Sequence, residues 1–234
     1  ECIMCGKKVE RFLPYQYKRN KSDIFNKYQI IESDTDNFSC PHCNCHDRTR
    51  HIVMYFNRMN IWKNCILGKS ILHIAPESHL QRIISQLNVK EYVCGDLNPA
   101  NETVKKIDIT NIPYKDNYFD FVICNHVLEH VPEDLKAMKE IYRVLKKDGF
   151  AVLQTPYSPV INISYENKAI NTPAERLEFY GQSDHARIYG LDLFDKLVNV
   201  GFKLNIIKND DLFTREECKK YGVNHRENLI LVQK

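Results

Sequence analysis

At 234 residues with a formal net charge of +3, the chain is long enough for one α/β domain plus a small appendage, and too weakly charged for charge alone to name a partner. The charge is uneven: residues 1–69 carry 12 Lys/Arg against 7 Asp/Glu, a net of +5, and residues 70–234 carry 21 against 23, a net of −2. No apolar run approaches the roughly 18 residues of a membrane span and no basic start leads into an apolar signal core, so a soluble, cytoplasmic chain is expected.

The first feature in chain order is a pair of cysteine knuckles, Cys2-x-x-Cys5 and Cys40-Pro-His-Cys43, separated by a polar stretch. Two such pairs offer four thiolates to a tetrahedral ion, a spacing that suits structural zinc better than a redox pair. His42, Cys45 and His46 lie near enough to replace one ligand, so the fourth position stays open between them and Cys43. A closed four-ligand site has no coordination position left for substrate, which makes the expected metal structural rather than catalytic. Residues 1–46 therefore read as a zinc-ribbon or treble-clef-like module, with Tyr15, Tyr17, Phe25 and Tyr28 as its small core. Cys65, Cys94 and Cys124 stand singly among apolar neighbours, as ordinary buried thiols do. Residues 47–68 read as a connector: Asp47 caps a helix at 48–62 whose Ile52, Val53, Phe56 and Met59 form an apolar stripe that docks the module onto the rest.

From residue 69 the pattern alternates: strand 70–75, helix 80–87, strand 91–95, strand 104–107, strand 119–124, a helix between Pro132 and Gly149, strand 150–153. Such alternation implies a mainly parallel sheet with crossover helices on both faces. The unit at 119–157 is the clearest. Its helix repeats Leu135, Met138, Ile141, Tyr142 and Leu145 at three- and four-residue spacing, Pro132 fits the first turn, Lys146 and Lys147 suit the negative helix end, and Gly149 stops it. After Thr155 comes a long segment, residues 156–190, rich in Tyr, Asn and His. A helix at 191–200, stopped by Gly201, and strands at 202–207 and 228–232 close the chain.

The wording of that unit, D-x-V-I-x-x-H-V-L-E-H followed by Y-R-V-L-K-x-x-G-x-x-x-L-x-T-P, closely resembles the second half of class I, type-11-like S-adenosylmethionine (AdoMet) dependent methyltransferases. The resemblance extends from residue 69 to the C-terminus. It implies an α/β fold, a doubly wound seven-stranded sheet ending in an antiparallel pair, as a domain spanning 69–234 behind the zinc module. It also implies AdoMet as methyl donor and S-adenosylhomocysteine as product. The family's first loop, D/E-x-G-x-G-x-G, has no glycines here; the text is Leu72-His73-Ile74-Ala75-Pro76-Glu77-Ser78-His79. That text is similar to a bacterial branch carrying H-I-A-P-E behind zinc knuckles, so His73, Ala75 and Glu77 are expected beside the cofactor. Asp96, about 20 residues downstream with Leu97 beside it, sits where an acidic side chain reaches ribose hydroxyls; its plainer role is a turn before Asn98-Pro99. Asp108 and Ile109 resemble the pair that meets the adenine amino group and ring. Asn125 and His126 end the fourth strand at the expected sulfonium end, with His126 also a catalytic candidate. Glu129 and His130, one turn on, read equally well as helix capping.

Residues 156–190 occupy the place where the resembled fold inserts its acceptor lid, and segments of this length inside compact domains are commonly functional. There Arg187 is expected to clamp a phosphate or carboxylate, His185 to accept a proton, and Tyr180, Gln182 and Tyr189 to orient the acceptor, with Asp184 and Tyr157 beside it. The plainer alternative is a self-satisfied turn in which Asp184 pairs with Arg187. The leading expectation is methylation of an O or N atom of a small polar metabolite bearing phosphate or carboxylate, as in bacterial nucleotide, sugar or surface-polysaccharide modification. One alternative is an RNA methyltransferase gripping phosphates with Lys7, Lys8, Arg11, Lys18, Arg19, Lys21, Arg48 and Arg50, opposed by the modest charge and the interleaved Asp34, Asp36 and Asp47. The other is a non-catalytic binding protein on the same fold.

Overall fold

Residues 70–74 and 119–125 are apolar on both sides, and they become the two adjacent central strands of one seven-stranded sheet. The computed structural model describes residues 1–15 and 23–234; Tyr17, Lys18, Arg19 and Lys21 lie outside the described residues. In chain order the elements are α1 (Asp23–Lys27), α2 (Asp47–Arg58), a π-helical turn (Trp62–Ile66), β1 (Ser70–Ile74), α3 (Ser78–Ser85), β2 (Glu91–Asp96), β3 (Lys105–Lys106), β4 (Phe119–Asn125) and a 3₁₀ turn (Leu128–His130). Then follow α4 (Asp134–Val144), β5 (Leu145–Gln154), α5 (Pro173–Tyr180), α6 (Asp192–Val200), β6 (Lys203–Ile207), α7 (Asn209–Leu212), α8 (Arg215–Tyr221) and β7 (Leu229–Gln233). The strand order is β3-β2-β1-β4-β5-β7-β6, with β1 to β5 parallel and β7 antiparallel to both of its neighbours. The order reverses between β1 and β4, so a ligand crevice is expected outside their carboxyl ends.

Period-two alternation divides the core. Leu72, Ile74, Val122 and Cys124 face Met138 and Ile141 of α4 and Leu193 and Leu197 of α6. Ile71, Phe121 and Ile123 point the other way, onto Ile52, Val53 and Phe56 of α2 and Leu80 and Ile84 of α3. The apolar stripe expected at 48–62 thus does pack on the sheet. Among the described residues no helix is long and apolar enough to cross a membrane.

The expected helix up to Gly149 is corrected. It ends at Val144, and the chain enters β5 at Leu145, so Lys146 lies in a strand with its Nζ 2.8 Å from Asp120 Oδ2, while Leu135 is largely exposed. Gly149 is needed for a different reason: a Cβ there would lie 2.9 Å from the Lys146 carbonyl oxygen and 3.0 Å from that of Asp120, where the β4–β5 register shifts. Asp47 is likewise not the cap of α2; it is the helix's first residue, and its Oδ2 accepts from the Asp34 amide at 2.5 Å, tying the preceding loop to the helix. Four α-helices lie outside the expected elements: α1, α5, α7 and α8. Thr172 and Glu175 close a capping box at the start of α5, and Thr214 and Glu217 do the same for α8. Gly181 ends α5 at φ +80°, where an added Cβ would meet the Phe25 ring at 2.1 Å.

Arg50, expected to hold phosphate, is fully buried. Its guanidinium donates to the carbonyls of Asn37, Phe38, Cys45, Tyr221 and Gly222 and lies 4.0 Å over the Phe12 ring. It fastens the N-terminal segment to the turn after α8 and offers nothing to solvent.

Candidate active site

At the carboxyl ends of β1, β2 and β4 the chain leaves a cavity of about 340 Å³, walled mainly by apolar atoms. Ala75, Asp96, Leu97, Asp108 and Ile109 line it together with Ile74, Ile107, Val127, His130 and Pro132. Asp96 Oδ1 accepts from the Asn98 amide at 2.7 Å, so Asp96 both makes the turn and lines the cavity. Asp108 Oδ1 accepts from the Thr110 amide and hydroxyl, both at 2.8 Å, and these bonds hold its carboxyl below the usual range. Leu97 keeps 56% of its surface exposed at the rim.

His73, Glu77 and Asn125 do not line this cavity. They form a brace beneath the first loop: His73 Nδ1 meets the Tyr92 hydroxyl at 2.8 Å, His73 Nε2 meets Glu77 Oε2 at 2.9 Å, and Asn125 Nδ2 donates to Glu77 Oε1. Burial pushes the Glu77 carboxyl up, but His73 and Asn125 overcome this and hold it down. The brace sits beside two strained turns, since Ala75 (φ 48°) and His126 (φ 53°) both adopt the left-handed conformation. Such residues cost about 1–3 kcal/mol each and persist where the surroundings hold them. Here Ala75 N bonds to Gly95 O at 2.8 Å and His126 N to Gln154 O at 2.7 Å, continuing the ladder past each strand end.

A second cavity, about 220 Å³ and strongly polar, adjoins the first through His130, which lines both. Its walls are His126, Glu129, Gln182, Asp184 and His185, with Arg48 and the loop residues Glu32, Ser33 and Thr35. His126 lies between two buried carboxylates, Nδ1 3.6 Å from Glu129 Oε1 and Nε2 3.4 Å from Glu227 Oε1. Burial alone would lower the His126 pKa; the two carboxylates reverse this and raise it to about 9. Burial likewise pushes Glu129 and Glu227 up, and the facing imidazoles, His126 for both and His51 for Glu227, bring them down to about 2. His126 is thus an imidazolium at neutral pH, unable to accept a proton, in a set that keeps a net negative charge. Thr155 donates to Glu129 Oε2 at 2.7 Å, and the Ala186 amide donates to the Glu129 carbonyl at 2.8 Å, fixing the lid segment to this turn.

Residues 72–153 match a protein family described as a methyltransferase domain. Over that span the chain is similar to methyltransferase domains. A demethylmenaquinone methyltransferase of Lactobacillus johnsonii is 40% identical over 67 residues, 27% of this chain and 28% of that protein. Norajmaline N-methyltransferase of Rauvolfia serpentina is 28% identical over 120 residues, 49% of this chain and 38% of that one. The chain therefore spans well under half the length of these curated relatives. An S-adenosylmethionine dependent methyltransferase of Mesorhizobium loti superposes with a TM-score of 0.54 at 12% identity, covering 77% of this chain and 97% of that one, a likeness of fold. The seven-stranded sheet is the class I methyltransferase fold.

On the expected acceptor side, four assignments are corrected. Arg187 is 1% exposed; its Nε donates to Glu166 Oε2 at 2.8 Å, and its Nη atoms donate to the carbonyls of Leu128, Val131 and Pro132. It is a brace for the turn bordering both cavities, and Asp184 pairs with His130 instead, 3.3 Å from Nδ1. Tyr180 is buried, its hydroxyl held by the Asn167 amide and carbonyl. Tyr189 is buried against Asp134 Oδ2 at 2.9 Å, and Tyr157 pairs its backbone with Ile31 and packs its ring on Phe194. Aromatic hydrogen-bonders in a long insertion suit a lid and a buried foundation equally well, and the sequence pattern does not separate them. Arg48 is the cation that reaches the polar cavity; among the described residues its Nε, though buried, has no partner.

The knuckles meet. One sulfur each from Cys2, Cys5, Cys40 and Cys43 fall within 4.8 Å of one another, with Cys2–Cys43 at 3.8 Å and Cys5–Cys40 at 3.9 Å. Cys45 is turned away, its thiol bonded to the His46 carbonyl and pushed up to about 12 by burial; His42 bonds to the Lys8 carbonyl, and His46 stacks on Phe38.

Proposed function

We propose that the chain transfers the methyl group of AdoMet to a small, polar, anionic acceptor. The observation that carries this reading is the meeting of two chemically opposite cavities at His130, one apolar with isolated carboxylates and one strongly polar. In the first, Asp96 is placed for the ribose hydroxyls, Asp108 for the adenine amino group, and Leu97 and Ile109 for the faces of the ring. AdoMet supplies, when bound, a methyl on positively charged sulfur, so the residues chiefly align the acceptor and exclude water. In the second cavity Arg48 holds the acceptor's anionic group, Gln182 orients it, and His185 is the group placed to take a proton.

An acceptor the size of a metabolite fits a cavity of about 220 Å³. RNA is the weaker reading because Arg50 is spent internally and Arg48 lines the polar cavity, leaving Lys7, Lys8, Arg11 and Lys27 as the exposed basic residues of the described N-terminal segment. We also read the four-cysteine cluster as a structural zinc site: the observed sulfur separations match the ~3.8 Å edge of a tetrahedron with Zn–S near 2.3 Å. The test of the acceptor is incubation with methyl-labelled AdoMet and fractionated metabolite and RNA pools. Label in a small anionic product is expected; label confined to RNA would contradict the reading.

A further inference from the structure

The polar cavity holds a ligand set that alignment of acceptor and cofactor does not require. One ligand-capable atom each from Glu129, His130 and His185 lie within 4.8 Å of one another, with Glu129 and His185 buried and His130 partly open. The His130 and His185 rings are nearly perpendicular, 85° apart with centroids at 4.8 Å, so they approach one point from different directions instead of stacking. Two of the three, Glu129 and His130, also have the outer partner that metal ligands use. Thr155 occupies Glu129 Oε2, leaving Oε1 toward the histidines, and Asp184 and its carbonyl occupy His130 Nδ1 at 3.3 Å, leaving Nε2 3.7 Å from Glu129 Oε1.

We propose that Glu129, His130 and His185 bind a divalent first-row transition ion at the base of the acceptor cavity. Two imidazoles and one carboxylate on one side of an ion leave its remaining positions open, here toward Gln182 and Arg48. This is the opposite of the closed four-cysteine cluster. The charges facing the site are compatible with a cation: Glu129, Glu227 and Asp184 outweigh His126, and Arg48 stands where a substrate anion would bridge it and the ion.

The inference rests on the methyl-transfer reading and deepens it by naming the acceptor class: an oxygen nucleophile next to an anionic group, such as a hydroxyl beside a carboxylate or phosphate. An ion there favours loss of the hydroxyl proton, as metals do for water. With the ion bound His185 is a ligand and no longer the proton acceptor, so in the transfer the acceptor O–H bond breaks with its proton passing to solvent, the oxygen electron pair forms the O–C bond, and the C–S bonding pair stays on sulfur, leaving a neutral thioether.

The test titrates Co²⁺ into the full chain preloaded with one equivalent of zinc. Thiolate ligation gives a charge-transfer band that His/Glu ligation lacks, so the two clusters are told apart in one spectrum. Visible cobalt absorption without the thiolate band is expected in wild type and should be lost in His130→Ala and His185→Asn. It should weaken roughly 10–100-fold in Asp184→Asn, which removes only an outer partner. Asp184 is two-thirds exposed and His130 one-third, so those two variants keep the test readable even if His185→Asn unfolds. No cobalt site outside the thiolates, or one that survives both histidine changes, overturns the proposal. AdoMet calorimetry on the same samples separates the failures: AdoMet bound without cobalt sinks only the metal, and cobalt bound without AdoMet sinks the methyl-transfer reading.

Discussion

Replacing Arg187 with Ala separates a foundation from a substrate clamp. The side chain is 1% exposed and its guanidinium serves three backbone carbonyls, Leu128, Val131 and Pro132, besides the Glu166 carboxylate. Truncation leaves those three carbonyls without their donors, at about 1 kcal/mol each by the usual net value of a hydrogen bond. Glu166 is more than a third exposed, so solvent re-solvates it and its pairing adds little. A loss of about 3–4 kcal/mol follows, near the lower bound for breaking a buried ion pair. For a domain of this size that lowers Tm by roughly 6–16 °C. Val131 and Pro132 also line the apolar cavity, so AdoMet affinity should fall with stability. Thermal unfolding by circular dichroism and AdoMet calorimetry read both. An unchanged Tm with a raised acceptor KM alone would mean that Arg187 does clamp substrate and that the bracing role is wrong.

Arg48→Met should raise the acceptor KM about 10–100-fold, the worth of one charged hydrogen bond, while leaving AdoMet affinity unchanged in calorimetry. Cys2→Ser or Cys40→Ser should release the thiolate-bound zinc, read by metal analysis and loss of the thiolate band with cobalt, whereas Cys45→Ser should retain it; loss in all three would move Cys45 into the ligand set. The raised His126 pKa contributes stability that is complete below its unfolded value of about 6.5 and is lost as pH rises through about 9. The lowered Glu129 and Glu227 contribute stability that is complete above about 4.5 and is lost as pH falls toward about 2. These shifts describe one shared interaction, so about 3 kcal/mol, counted once, should disappear between pH 6.5 and 9.5 in urea unfolding. Equal stability at both pH values would rule out the charged triad.

The regularly patterned elements are legible because burial on both faces writes itself as continuous apolar runs: β1, β4 and α6 fall within a few residues of where the text puts them, while β5 begins earlier, at Leu145. Capping boxes at Thr172 and Thr214 are equally legible, but the short helices they open bury only Tyr180 and Cys218 and so carry no apolar stripe. The site divides the same way. Asp96, Leu97, Asp108 and Ile109 sit at strand ends, where position along the chain fixes position in space, and all four line one cavity. Arg187 and Tyr189 sit in a segment without period, so nothing in the text says whether they face in or out. Glu32, Ser33 and Thr35 read as part of the polar stretch between the knuckles, and Glu227 lies 98 residues from Glu129; the folded chain brings them to one cavity around His126.

The central claim is that the apolar cavity at the β1–β4 switch point takes AdoMet. Isothermal calorimetry of wild type and Asp96→Ala tests it most directly. One-to-one binding with a micromolar Kd is expected, weakened about tenfold or more by the substitution at unchanged Tm, as the loss of a charged hydrogen bond requires. No heat at submillimolar AdoMet, or equal affinity in both proteins, would contradict the account.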